Sequence, residues 1–147
     1  MQTECRAPFA PRGSLHPFRT LIADDHALFL SYVRQFLDAQ ALVQVVGTAA
    51  NGSEALETAA ALTPDLVLMD LHMPCMDGLQ ATAHLRLRLP DTRIIIMTLD
   101  ETVGTRDAAR AHGAHGFVGK SRIAGDLMTE IRHVFRLQRA DDDRGAG

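Results

Sequence analysis

Polar residues close short apolar runs at four points along the chain. Asp24 and Asp25 follow Thr20-Leu21-Ile22-Ala23, and Asp70 ends Asp65-Leu66-Val67-Leu68-Met69-Asp70. Thr98 ends the run from Arg93, and Lys120 follows Gly116-Phe117-Val118-Gly119. Brought into one crevice, these residue types are equipped for phosphoryl chemistry. Three clustered carboxylates repel and raise one another's pKa. A hard divalent cation relieves that repulsion, and Mg²⁺ (or Mn²⁺) favours a few carboxylates, a carbonyl and waters. Lys120 adds a point positive charge, and the Thr98 hydroxyl can hydrogen-bond a phosphoryl oxygen. Asp70 is then a carboxylate nucleophile able to attack phosphorus and form an acyl phosphate, a reaction governed mainly by positioning and charge neutralisation.

Such convergence requires elements that end together. The runs above read as strands 20–23, 65–70, 93–98 and 116–119, with another over Leu42–Gly47. The 93–98 run is too apolar for a solvated face, as in a parallel sheet covered on both sides. Helical patterns alternate with the strands. Phe29, Tyr32, Val33, Phe36 and Leu37 share one helical face, and Leu127, Met128, Ile131, Val134 and Phe135 share another on a helix fading near Gln138. Asn51 with Glu54, and Asp77 with Gln80, have the spacing of capped helix starts. A weak helix over 102–112 has Val103 as its only large apolar residue. Five alternating strands and helices predict a doubly wound α/β sheet, in which ligands bind beyond the carboxyl ends of the strands.

The 147 residues suffice for one domain, with 46% hydrophobic content for its core. A net charge of −3 gives no global attraction to nucleic acid or an anionic membrane. Cys5 and Cys75 match no zinc spacing, and two distant cysteines suit a reduced, cytoplasmic protein. Apolar runs such as Ile94-Ile95-Ile96-Met97 are too short to span a bilayer, and no signal peptide is evident. The expected organisation is a Pro-containing leader over 1–18, one domain over 19–138 and a polar tail over 139–147.

Residues 19–138 resemble a response-regulator receiver domain of the NarL/FixJ type, from two-component signalling. The likeness rests on four segments in order: 21–26 (LIADDH), 51–56 (NGSEAL), 64–78 (PDLVLMDLHMPCMDG) and 113–120 (GAHGFVGK). Ser121 after the lysine agrees with that subgroup, since other receivers usually have proline there. The resemblance implies a flavodoxin-like (CheY-like) fold with strand order 2-1-3-4-5. It implies that Asp70 takes phosphate from a sensor histidine kinase or phosphotransfer protein. Asp25, Asp70 and the backbone carbonyl of His72 would hold the metal, with Asp24 acting mainly through water. Thr98 and Phe117 would form the switch pair, Phe117 rotating inward as Thr98 moves. The output would be altered partner binding or a homodimer, and the domain would not be an enzyme beyond its own phosphorylation and dephosphorylation. Relatives of this type normally continue into a helix-turn-helix domain. The alternatives are therefore a stand-alone receiver and the receiver fragment of a DNA-binding regulator; in neither is direct nucleic-acid or membrane binding expected from this chain.

Each residue also has a plainer reading. Asp24-Asp25 could cap a helix, Thr98 could be a β-former ending its strand, and Phe117 could be a core aromatic. Lys120 at the end of a buried strand needs a partner. His72 and Asp100 lie two positions after Asp70 and Thr98, where they could meet attacking water and tune the phosphoryl lifetime. His26 reads as a first-turn residue, and Asp77-Gly78 as structural capping. Arg132, Arg136 and Arg139 recur along one face of the last helix and read as a solvated face in preference to a dimer or partner contact. A haloacid-dehalogenase-type phosphotransferase needs a second Asp two residues after the nucleophile, where His72 stands. Neither dinucleotide-binding nor P-loop glycine patterns are present.

Overall fold

The structure, a computed structural model, describes residues 16–137. The tail and most of the leader expected above lie outside the described residues. The elements are β1 (Phe18–Ala23), α1 (Ala27–Asp38), β2 (Val43–Ala49), α2 (Gly52–Leu62), β3 (Leu66–Asp70) and α3 (Gly78–Arg88). They continue with β4 (Arg93–Thr98), α4 (Val103–Ala111), β5 (Gly116–Gly119), a 3-10 turn (Lys120–Arg122) and α5 (Ile123–Val134). All strand pairs are parallel, in the order β2-β1-β3-β4-β5, which is the flavodoxin-like arrangement.

Side-chain alternation divides the interior into two layers. Val67, Met69, Ile94 and Ile96 pack with Ala55, Ala59, Ala81 and Leu85 of α2 and α3. Leu66, Leu68, Ile95 and Met97 pack on the opposite face with Val33, Leu37, Leu127 and Ile131 of α1 and α5. Each fully buried Leu or Ile contributes about 2 kcal/mol of transfer free energy. Both faces of the central strands are therefore dry, and β3 and β4 read as continuous apolar runs.

Helix starts follow side-chain chemistry. Asn51 Oδ1 accepts the Glu54 N–H at 2.8 Å, while Glu54 Oε1 accepts from Ala50 N–H at 2.7 Å, one residue before the usual capping-box partner. Asp77 Oδ1 accepts the Gln80 N–H at 2.9 Å.

Several expectations are corrected. Tyr32 is 47% exposed, because the buried stripe of α1 runs through Val33 and Leu37 instead. Val103 is 73% exposed, and Ala109 is the one fully packed residue of α4. Phe135 lies just past α5, where its ring stacks on Phe18 at 3.8 Å. The chain leaves the helix there: Arg136 takes φ 60°, and Leu137 N–H reaches back to Arg132 O at 2.7 Å. Arg132 and Arg136 consequently do not continue one helical face, and Arg139 lies outside the described residues.

Candidate functional site

Parallel pairing brings the strand ends level. Ala23 lies opposite Met69, Asp70 opposite Met97, and Thr98 opposite Gly119. Asp24 and Lys120, each one residue beyond its strand, thus flank Asp70. Lys120 Nζ lies 2.7 Å from Asp24 Oδ2 and 3.1 Å from Asp70 Oδ1. Asp24 and Asp70 are buried, whereas Asp25 is exposed at the rim.

Asp24 Oδ1 accepts the His26 N–H at 2.8 Å, so this carboxylate also serves the start of α1. His26 occupies the N-cap position of that helix, its Nδ1 3.2 Å from Asp25 Oδ1. Ligand atoms of Asp24, Asp25, His26 and Asp70 all lie within 4.8 Å of one another. Asp70 Oδ2 is buried without a hydrogen-bond donor, and the contact of Asp24 Oδ2 is to the Lys120 ammonium alone. A buried Asp70 oxygen without a donor, beside the Asp24 and Asp25 carboxylates, forms a donor set fitted to a hard divalent cation. The Asp70 carboxyl is pushed up to about 6, first by burial and then by the Asp24 charge, with Lys120 opposing both.

Thr98 is buried, and its Oγ1 accepts the Asp100 N–H at 3.0 Å, which leaves the hydroxyl proton available for donation. The Phe117 ring is buried in the α2–α3 side of the core, with the Arg106 guanidinium 4.5 Å from its centroid. Phe117 N–H donates to Glu130 Oε2 at 3.0 Å. Asp100 turns its carboxylate toward α4, where Oδ2 accepts from Thr105 Oγ1 at 2.6 Å and Oδ1 from Thr102 N–H at 3.0 Å. The Thr105 bond, foremost, holds its carboxyl below the usual range, and the exposed His72 adds a smaller effect through its charge.

The loop after Asp70 is tightly drawn. Gly78 N–H donates to Leu71 O at 2.9 Å, and a Cβ on Gly78 would collide with the Asp70 carbonyl. Asp77-Gly78 is therefore more than a cap, since only glycine permits this approach of α3 to β3. Cys75 adopts φ 71° at the centre of a three-residue turn closed by Met76 N–H to Pro74 O at 2.8 Å.

Two residues join the site without a sequence signal. The Phe29 ring lies 4.4 Å from Lys120 Nζ, placing an aromatic face against the ammonium. Glu101 accepts from Ser121 Oγ at 3.2 Å and pairs with Arg122 Nε at 3.2 Å, tying the β4–α4 loop to the turn after Lys120. Beside them, Leu28 (88% exposed) and Leu99 (78% exposed) line an open concavity of about 360 Å³ together with Phe29 and Lys120.

Fold and site together define a doubly wound α/β module with an acidic, lysine-clamped crevice at its strand ends. The chain belongs to the response regulator receiver domain family, whose family model matches residues 20–132. It is a receiver domain of two-component signal transduction. It is 33% identical over 137 residues to the transcriptional regulatory protein LiaR of Bacillus subtilis, covering 78% of this chain and 65% of that protein. It is 42% identical over 117 residues to protein-glutamate methylesterase/protein-glutamine glutaminase 2 of Carboxydothermus hydrogenoformans, covering 79% of this chain and 32% of that one. Among solved structures, a LuxR-family two-component response regulator from Aurantimonas superposes with a TM-score of 0.78 at 29% identity, over 88% of this chain and 94% of the other. The chain thus spans less than two thirds of these curated relatives. Among the described residues, no helix is long and apolar enough to cross a membrane.

Proposed function

We propose that Asp70 accepts a phosphoryl group from the phosphohistidine of a sensor kinase or phosphotransfer protein. An Asp70 oxygen attacks phosphorus, the P–N bond breaks, the imidazole leaves with its electron pair, and a mixed acyl phosphate forms. The observation that carries this reading is the Lys120 ammonium set between Asp24 and Asp70, beside a buried Asp70 oxygen with no donor. Lys120 orients the acceptor and offsets charge on the incoming group, and the Thr98 hydroxyl donates to a phosphoryl oxygen. Asp24, Asp25, Asp70 and the His72 carbonyl would hold Mg²⁺ (or Mn²⁺), which when bound supplies further neutralisation of the phosphoryl oxygens.

Phe117 is the partner of Thr98 in the switch, and its burial under Arg106 gives it a defined resting place. Asp100 and His72 tune the phosphoryl lifetime, Asp100 through the loop that it fastens to α4. The apolar lip of Leu28 and Leu99 supports a protein donor docking beside the site. The domain acts as a switch and is not an enzyme toward other substrates. Its output is changed partner binding or self-association. Similarity to the transcriptional regulatory protein LiaR favours the receiver part of a transcriptional regulator, with the receiver itself contacting neither nucleic acid nor membrane and working in the cytoplasm.

Incubation with Mg²⁺ and acetyl phosphate tests the reading by intact mass. The wild type gains one phosphoryl group and Asp70→Asn gains none. Equal labelling of both proteins would overturn the assignment, as would no labelling of the wild type. Following the labelled protein over time in Asp100→Ala and His72→Ala measures the lifetime effect; unchanged decay in both would remove that part.

A further inference from the structure

At the opposite end of the sheet, Arg86, Arg93, His115, His133 and Arg136 line one concavity of about 350 Å³. They come from α3, the start of β4, the approach to β5, α5 and the residue stretch after it. The chain as a whole carries a net charge of −3, so this cluster runs against its overall sign. Helix dipoles account for single basic residues in the last turns of α3 and α5. They do not account for Arg93 on a strand, for His115, or for Arg136.

Three details make this a built cradle. Arg86 Nη1 donates to Pro90 O at 3.1 Å, while Arg93 donates through Nε to Val134 O at 3.1 Å and through Nη1 to Asp91 O at 3.2 Å. These bonds fix the guanidinium groups and quench carbonyl oxygens that would repel an anion. His115 Nδ1 accepts the Ile94 N–H at 3.0 Å, so the ring proton resides on Nε2 as a donor. Its pKa is pushed down to about 4, by burial first and then by the neighbouring Arg86 and Arg93 charges, so the ring is neutral near pH 7. Arg136 stands at φ 60°, a conformation that favours glycine, just where its side chain joins the cluster. Glu130 lies in the neighbouring concavity with His115 and His133, and its Oε2 takes the Phe117 N–H.

We propose that this concavity is a second binding site, remote from Asp70, for a small molecule bearing a phosphate or polyphosphate group. The Arg86 and Arg136 guanidinium groups can pair with phosphate oxygens, and Arg93, already bound to backbone carbonyls, adds fixed positive charge. The volume lies within the roughly 300–1,000 Å³ typical of small-molecule sites. The acidic run Asp141-Asp142-Asp143 follows Arg136 by five residues in sequence.

The test is amide NMR of the full chain in magnesium-free buffer, titrated with inorganic pyrophosphate and, separately, with ADP. Saturable shifts are expected at Ile94, His115, Gly116 and Arg136, distinct from any at Asp70 and Lys120. Tighter binding of ADP identifies a nucleotide, and equal affinity identifies the inorganic anion; both support the site. Arg136→Gly suits the backbone better and should fold at least as well, yet bind pyrophosphate at least ten-fold more weakly. Arg86→Gln gives a second reading of the same loss. Replacing Asp141, Asp142 and Asp143 by Asn should leave binding as tight or tighter. The proposal is overturned by shifts confined to Lys120 and Asp70, by equal binding in Arg136→Gly and Arg86→Gln, by weaker binding in the triple Asn variant, or by the same response to sodium chloride at matched ionic strength.

Discussion

Asp70 is subject to opposed influences whose balance is measurable. Burial and the Asp24 charge raise its carboxyl to about 6 from 3.8, against the pull of Lys120. With the folded-state value above the unfolded one, the favourable contribution is fully present below about pH 3.8 and is lost as pH rises through about 6. At pH 7 the ionised carboxylate therefore weakens the fold. Asp70→Asn should stabilise the protein by about 1–2 kcal/mol at pH 7, an order set by the two-unit shift, in which the pull of Lys120 is already included, discounted for solvent screening at the mouth of the site. The gain should shrink toward pH 4; urea unfolding at both pH values measures it, and a destabilised variant at pH 7 would contradict the account. The same residue was legible in the sequence because an acid closing a buried run has few structural uses. Phe29 was not, because its contact with Lys120 crosses from α1 to the end of β5 and leaves no local spacing.

At the scale of elements, the strand ends that carry the site were readable, whereas β1 begins two residues before the expected Thr20, β2 runs two residues past the expected Gly47, and helix ends were less legible. Apolar runs bounded by polar residues predicted β4 and β5 to the residue. Where α5 stops is decided by the left-handed turn at Arg136 and by the stacking of Phe135 on Phe18, neither of which helical periodicity encodes. Tyr32 was misplaced for a related reason, since a face that is apolar in sequence is wider than the stripe the sheet can cover. The junction of β3 and α3 gives the sharpest test. Gly78→Ala sets a Cβ against backbone, the Asp70 carbonyl, which cannot yield as a flexible side chain would. The expected loss is about 2–3 kcal/mol in denaturant unfolding, together with slower labelling by acetyl phosphate. A variant as stable as the wild type would show that the loop has room to relax.

Across the whole molecule, cation binding and proton binding are linked through the acidic cluster. Mg²⁺ should raise the melting temperature at pH 7.5, by an amount equivalent to about 2.7 kcal/mol when it is in hundred-fold excess over its Kd. The rise should fade below about pH 6, where Asp70 takes up a proton, and should be largely lost in Asp25→Asn. A scan of melting temperature against pH with and without the ion checks this; a rise independent of pH would remove Asp70 from the ligand set. The close seat of Gly78 on the Asp70 carbonyl has a mechanical consequence as well. On that side the acceptor strand is braced by α3, backbone against backbone, and has no slack. Farther along the same face stands α4, held by Ala109 and a handful of solvent-exposed bonds around Asp100 and Thr102. A push that begins at the acceptor would therefore meet a rigid stop at α3 and a lightly held element at α4.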